Sequence, residues 1–160
     1  MAITYVNSQG VQIYVIPENE DVSDCTKVAT AVTAGKLIGC PQSLGAMEET
    51  RAVTEYKCLS SNETAKALGA ISRGSLTIGL LLDPADATGQ KALVDAFAAN
   101  ENVIIAIELA DAATASTGNG TTYVFTAGVS AVSIGIEMDA AVKYDVTLEI
   151  SSAITMCPAT

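Results

Sequence analysis

The sequence of 160 residues predicts a mainly β protein, a two-sheet β-sandwich with one flanking α-helix and one long hairpin loop. Three observations lead to this fold class. Apolar and polar residues alternate in the last third of the chain, strand-like segments recur before it, and helical periodicity is clear in one place. No internal repeat or linker divides the chain, so residues 1–160 are predicted to form a single domain.

Strand-like segments begin near the N-terminus. Residues 11–16 form the first predicted strand, and residues 27–38 are interpreted as one or two short strands broken near a glycine. Residues 51–59 form the next strand and lead into a polar, glycine-containing loop at residues 60–72. The strand and loop together predict a long hairpin with a mobile tip.

Residues 89–99 form the one clear helix. Thr88 is placed to cap its N-terminus, and Asn100 suits its C-terminal end. Two alternating strands, residues 76–82 and 103–109, flank it. The face predicted to pack on a sheet consists of Leu93, Ala96 and Phe97.

The last third contains the most regular pattern. In residues 131–139 and 142–150, large apolar side chains alternate with small, polar or charged ones, and the two segments form a predicted hairpin. A period of two over this length predicts one buried face and one wet face. The wet face of the first strand is small and acidic. The residues predicted to be buried are Val132, Ile134, Ile136, Met138, Val142, Tyr144, Val146, Leu148 and Ile150.

Charge and motifs argue against an enzyme and against a DNA-gripping protein. The formal net charge is −10, from 18 acidic and 8 basic residues, and the chain contains no histidine. Such a surface repels phosphate, although DNA can slide past it. The sequence has neither a phosphate-binding GxxxxGK loop nor a GxSxG elbow, so we expect no cofactor. A hydrolase using two carboxylates about 5–9.5 Å apart remains an alternative.

The cysteines and acidic segments do not predict a metal site. Cys25, Cys40, Cys58 and Cys157 have no CxxC spacing, and we expect four buried or half-buried free thiols. Residues 18–24 lack EF-hand spacing and are predicted to form a solvated acidic loop rather than a calcium site. The apolar runs are far shorter than the roughly 20 residues that cross a bilayer, so no membrane contact is expected.

Long antiparallel strands leave unpaired edges that must be covered, charged or paired with another chain. A ring of identical subunits that join sheet to sheet removes those edges by closing a β-barrel. The sequence therefore favours self-assembly, in which one acidic wet face lines the bore.

The sequence resembles the tail tube proteins of siphophages, the major tail proteins of long non-contractile tails. The resemblance covers about residues 9–152 and rests on the order and spacing of its segments. These segments are residues 8–15, 44–51, 56–59, 75–78, 83–84, 90–97 and 122–130, followed by the final alternating hairpin.

The resemblance implies a non-enzymatic subunit of stacked hexameric rings, whose acidic lumen conducts DNA without binding it specifically. The implied partners are further copies of the chain and the tape measure, tail tip and tail terminator proteins. The implied location is the virion tail, preceded by the host cytoplasm. The alternative is another virion or secretion-tube protein, such as the inner tube of a contractile tail or a capsid decoration protein.

Family features are carried over by position. The lumen candidates are Glu48, Glu49, Glu55, Glu137 and Asp139. The loop that bridges rings corresponds to residues 60–72, and its candidate contact residues are Ser60, Ser61, Asn62, Glu63, Thr64, Lys66 and Leu68.

Overall fold

The computed structural model describes residues 8–60, 62–112 and 118–160, and it confirms a mainly β fold with two sheets. Two helices are present in these ranges, α1 (Cys25–Ala34) and α2 (Gly89–Ala99). The strands are β1 (Gln12–Pro17), β2 (Lys36–Leu37), β3 (Pro41–Leu44), β4 (Glu49–Lys57), β5 (Thr64–Arg73), β6 (Ser75–Leu81), β7 (Asn102–Glu108), β8 (Thr122–Gly135), β9 (Lys143–Ile150) and β10 (Thr155–Cys157).

Strand β8 divides the larger, eight-stranded sheet into two layers. Residues 122–128 of β8 pair with β7, whereas residues 127–135 pair with β9, and the register shifts between Val129 and Ala131. Strands that pass from one layer to the other bend in this way at the corners of sandwiches. Layer 1 contains β2, β1, β7, the first half of β8 and β10; layer 2 contains the second half of β8, β9, β6 and β3.

The larger core is shared by both layers and by α2. Ile78 of β6 is buried in it together with Leu148 of β9 and Phe125 of β8. Helix α2 has the predicted bounds and buries Leu93 and Ala96 against this core. The prediction that Phe97 is buried is wrong, because its side chain is 47% exposed. The buried stripe has a spacing of three residues, and the next residue lies about 100° further around the helix.

The strands predicted within residues 27–38 are mostly wrong, because α1 occupies most of this segment. Asp24 starts the helix by accepting hydrogen bonds from the amides of Thr26 and Lys27 at 2.8 and 3.1 Å. Val28 and Ala31 then pack on the outer face of layer 1. β-Branched residues in α1 favour strands locally, but the cap and this packing determine a helix.

The prediction of four free thiols is wrong at two positions. Cys25 at the start of α1 forms a disulfide with Cys157 of β10, with the Cα atoms 5.4 Å apart. Cys40 and Cys58 are free but exposed, not buried or half-buried. The disulfide joins positions 132 residues apart and ties the C-terminal strand to α1.

Asp86, rather than Thr88, caps α2. Thr88 occupies the N-cap position, but its side chain forms no capping bond. The Asp86 carboxylate instead accepts hydrogen bonds from the amides of Thr88, Gly89 and Gln90, and from the distant amide of Gly39. Desolvation raises the pKa of Asp86, but these four N–H groups outweigh it and lower the pKa to about 2.

We expect Asp86→Ala to lower the free energy of unfolding by about 1–2 kcal/mol, because it removes the helix cap. Thr88→Ala is the matched control and should change stability by less than about 0.5 kcal/mol. Because the folded-state pKa is depressed, the contribution of Asp86 is present above pH 4 and is lost as the pH falls towards 2. Urea unfolding of dilute protein between pH 2 and 7 measures both effects. Equal stability losses in the two variants would contradict the assignment of the cap.

Reduction of the Cys25–Cys157 disulfide should lower the free energy of unfolding by about 2–4 kcal/mol, because the unfolded chain regains the freedom that the closed loop removes. Cys25→Ser should have a similar effect and should abolish the response to reductant. Cys58→Ser, at an exposed free thiol, is the control and should leave both quantities unchanged. Equal destabilisation of the wild type and of Cys25→Ser by reductant would contradict the stabilising role of this disulfide.

Candidate assembly interfaces

The described residues show neither a metal cluster nor a membrane-spanning helix. No group of three or more His, Cys, Asp or Glu side chains among them could hold a metal ion, and no helix there is long and apolar enough to cross a membrane. The acidic segment before α1 is engaged with that helix: a hydrogen bond from Lys27 lowers the pKa of Asp21 to about 2. The surfaces that stand out instead belong to layer 2 and to the β4–β5 hairpin.

The outer face of layer 2 carries small and acidic side chains. The pairing register puts Ser133, Asp145 and Gly79 in one row across β8, β9 and β6. In neighbouring rows, the Thr77 and Thr147 hydroxyls lie 3.4 Å apart, and Ser75 pairs with Glu149. We call this surface the small acidic face; its members are Ser43, Ser75, Thr77, Gly79, Ala131, Ser133, Gly135, Asp145, Thr147 and Glu149, together with one basic residue, Lys143.

Layer 2 has two unpaired edges within the described residues. On one side, β3 pairs with β6 and with no other described strand. On the other side, residues 130–135 of β8 pair only with β9, because β7 and β10 pair with the earlier half of β8. Each neighbouring pair in the layer is antiparallel, so the two edges of this four-stranded layer also run antiparallel to each other.

An apolar ridge and an apolar seam lie at these opposite edges. The ridge comprises Ile134, Ile136 and Met138, which are 59%, 78% and 92% exposed, so the prediction that they are buried is wrong for the single chain. Strand β8 ends at Gly135, and the pairing with β9 ends there too. The seam is a groove of about 570 Å³ near β3, and its apolar lining residues are Val11, Ile13, Pro41, Leu44 and Leu109.

Strands β4 and β5 form the long hairpin, which we call the arm (residues 49–73). The predicted loop at residues 60–72 is wrong in extent, since residues 64–72 belong to β5. Among the described residues between the strands, Leu59 and Ser60 form a turn. Every described residue from 50 to 72 is exposed, so the arm projects from the rest of the chain. Its two strands are held together by their own ladder and by the Lys66–Glu55 ion pair at 3.1 Å.

The arm is basic in an acidic protein. It carries four of the eight Lys and Arg residues and three of the 18 Asp and Glu residues, so its formal charge is +1 while the rest of the chain carries −11. The side chains on one face mix positive charge with exposed apolar surface, because residues of opposite strands that pair share a face. That face carries Arg51, Val53, Lys57, Lys66, Leu68 and Ile71, together with Arg73 and the two acidic residues Glu49 and Glu55.

The predicted lumen residues do not form one cluster. Glu49 lies at the base of the arm, where a hydrogen bond from Arg73 at 2.9 Å lowers its pKa, and Glu55 is paired within the arm. Glu48 precedes β4. Glu137 and Asp139 lie in the turn after β8, not in a strand, and Asp139 has a positive φ of 59°. Their predicted lumen role stays a prediction.

The predicted bridging residues divide between the turn and β5. Thr64, Lys66 and Leu68 lie in β5, whereas Ser60, Asn62 and Glu63 lie at or beside the turn. Ser61 lies outside the described residues. Their role in bridging also stays a prediction.

Sequence reasoning missed Asp145 and Glu149 as members of an acidic face. The signal was present, because both alternate with the buried residues of β9. The sequence alone did not show that the wet face of β9 continues across β6 and β3, since strand order is a long-range property.

The family model described as "Phage tail tube, TTP, lambda-like" matches residues 4–160. The solved tail tube of SPP1 superimposes with a TM-score of 0.67 at 14% identity, covering 95% of this chain and 78% of that one. The six-fold symmetrised baseplate of the anti-feeding prophage gives 0.70 at 12% identity, covering 99% and 98%. The sheath/tube terminator of the extracellular contractile injection system PVC gives 0.69 at 16% identity, covering 98% and 99%. These structural matches show a shared fold; no curated protein matches the chain by sequence.

Proposed function

This chain belongs to the lambda-like phage tail tube family and is a structural protein of the virion tail, and we propose that it forms the tube of a long non-contractile tail. In this proposal six copies form a ring, rings stack, and DNA passes through the bore. The observation that carries the proposal is the open layer 2, whose two free edges run antiparallel and so allow head-to-tail pairing between copies. The six-fold symmetrised baseplate with the same fold supports the ring size.

Lateral contact joins the ridge of one copy to the seam of the next. The ridge lies at the β8 edge of layer 2, and the seam lies between the β3 edge of layer 2 and residues in or beside β1 and β7 of layer 1. Both include side chains on the core-facing side of layer 2: Ile134 pairs with buried Tyr144, and Leu44 pairs with buried Ile78. Pairing of the two edges therefore brings exposed apolar side chains to an unfilled apolar groove. The shared core of each chain then continues into its neighbour.

The small acidic face lines the bore. Asp145 and Glu149 are exposed on it, and we add them to the lumen candidates Glu48, Glu137 and Asp139. The other two candidates, Glu49 and Glu55, are paired with Arg73 and Lys66 on the arm, so we do not assign them to the bore. Carboxylates repel phosphate, which prevents DNA from adhering to each successive ring during transit. The role requires no catalytic group and no cofactor. The arm reaches a second ring. The tape measure, tail tip and terminator proteins contact the assembled tube. Before assembly, the subunit is located in the host cytoplasm.

The inner tube of a contractile tail is the second candidate function. Two contractile-system components match the fold about as well as the SPP1 tube does. The lambda-like family match favours the non-contractile tail. Electron microscopy of intact particles separates the two, because only a contractile tail carries a sheath.

Purified wild-type protein at high concentration should form hollow filaments by negative-stain microscopy. Ile134→Lys should raise the concentration needed for pelleting at least tenfold, because a buried, unpaired charge is costly. Ser133→Lys is the matched control, since the neighbouring residue faces the other side of the sheet, and it should still assemble. A wild type that stays monomeric would overturn the proposed function. Normal assembly by Ile134→Lys would overturn the ridge contact.

Asp145→Lys combined with Glu149→Lys should leave tubes intact but make them retain DNA, because the bore gains attraction for phosphate at every ring. Short duplex DNA mixed with assembled tubes should co-sediment roughly tenfold more than with wild-type tubes at low salt, and high salt should remove the difference. Glu137→Lys with Asp139→Lys tests in the same assay whether the turn after β8 faces the bore. Glu20→Lys, on an exposed segment before α1, is the control. Unchanged DNA retention in the first variant would count against the assigned bore face.

A further inference from the structure

A groove beside α2 is lined by both apolar and acidic residues. It has a volume of about 420 Å³ and lies between α2, the end of β1 and the start of β7. Ala92, Ala99 and Val103 contribute apolar surface, whereas Glu18, Asp95 and Glu101 contribute carboxylates and Lys36 the one described cation. Asp95 is paired with Lys91, but Glu18 and Glu101 form no salt bridge with a described residue.

The basic face of the arm complements this groove. Arg51 and Lys57 form no salt bridge in the described parts of the chain, although Lys66 and Arg73 do. Between these two cations, the same face carries Val53 and its partner Leu68, which are 54% and 68% exposed, and the Glu55–Lys66 ion pair. The arm thus offers two cations without a salt bridge on either side of exposed apolar side chains and one internal ion pair, and the groove offers unpaired carboxylates around apolar walls.

The arm extends from the ends of strands β3 and β6 of layer 2. It is inserted between the end of β3 at Leu44 and the start of β6 at Ser75, so it continues their direction and does not use either edge. Nine residues of β4 at about 3.3 Å each extend it by about 30 Å. Since the proposed ring occupies the edges, a feature that projects from the strand ends points out of the ring.

We propose that the basic, apolar face of the arm docks into the α2 groove of a second copy in the adjacent ring. This inference rests on the proposed function and assigns the receptor for the arm. Ring-to-ring contact then combines apolar burial with opposite charge, although whole subunits repel one another.

Charge swapping tests the docking. The arm variant is Arg51→Glu with Lys57→Glu, the groove variant is Glu18→Lys with Glu101→Lys, and the rescue variant carries all four changes. Lys27→Glu with Thr30→Glu and Thr33→Glu, on the exposed side of α1, matches the charge change of the arm variant away from both surfaces. Circular dichroism verifies that each is folded, and sedimentation with negative-stain microscopy counts single rings and tubes.

We expect the arm and groove variants each to form rings that need about tenfold more protein to stack, because like charges then meet. The rescue variant should stack within about threefold of the wild type, since every contact is again complementary. Normal stacking by the arm or groove variant, failure of the rescue variant, or loss of rings in the arm variant would each overturn docking in the adjacent ring. A wild type without rings would instead refute the proposed function, so the two failures are distinguishable.

Discussion

The two unpaired edges of layer 2 are the constraint on which the assembly depends. Soluble proteins usually protect such edges with charged side chains, prolines or covering segments. Residues 130–135 of β8 contain no charge and no proline, and the ridge beside them is exposed. Strand β3 has only Pro41, at its first position, where a missing N–H is tolerated. An even number of antiparallel strands makes the two edges compatible with each other, so copies of one chain can satisfy them repeatedly.

The edges of layer 1 are covered by short strands, and this contrast identifies layer 2 as the assembling layer. The two-residue β2 covers β1, and the three-residue β10 covers the first half of β8. Short edge strands of this kind blunt an edge. Helix α1 covers the outer face of layer 1, and the Cys25–Cys157 disulfide links that helix to β10. Because β8 belongs to both layers, the closed layer holds the open edge in position.

Local patterns predicted the elements that satisfy local rules. The alternation in β9 and the periodicity of α2 were correct because each element buries one face in the same core. The strand prediction for residues 27–38 failed because the helix cap by Asp24 and the packing on layer 1 outweigh the strand preference of its β-branched residues. The ridge was correctly recognised as apolar but wrongly placed in the core of the single chain. Periodicity shows that a face is apolar, but not whether its own chain or a second copy covers it.

Net charge then limits which contacts can hold such an assembly together. Subunits of charge −10 repel one another, and no general attraction gathers them. Salt confines that repulsion to about 8 Å at physiological ionic strength, so short-range contacts must provide the stabilisation. Apolar burial at the ridge and the local positive charge of the arm both act at short range. Each requires one specific alignment of the two subunits. The acidic surplus can therefore remain on the face proposed to line the bore, because neither type of contact requires its neutralisation.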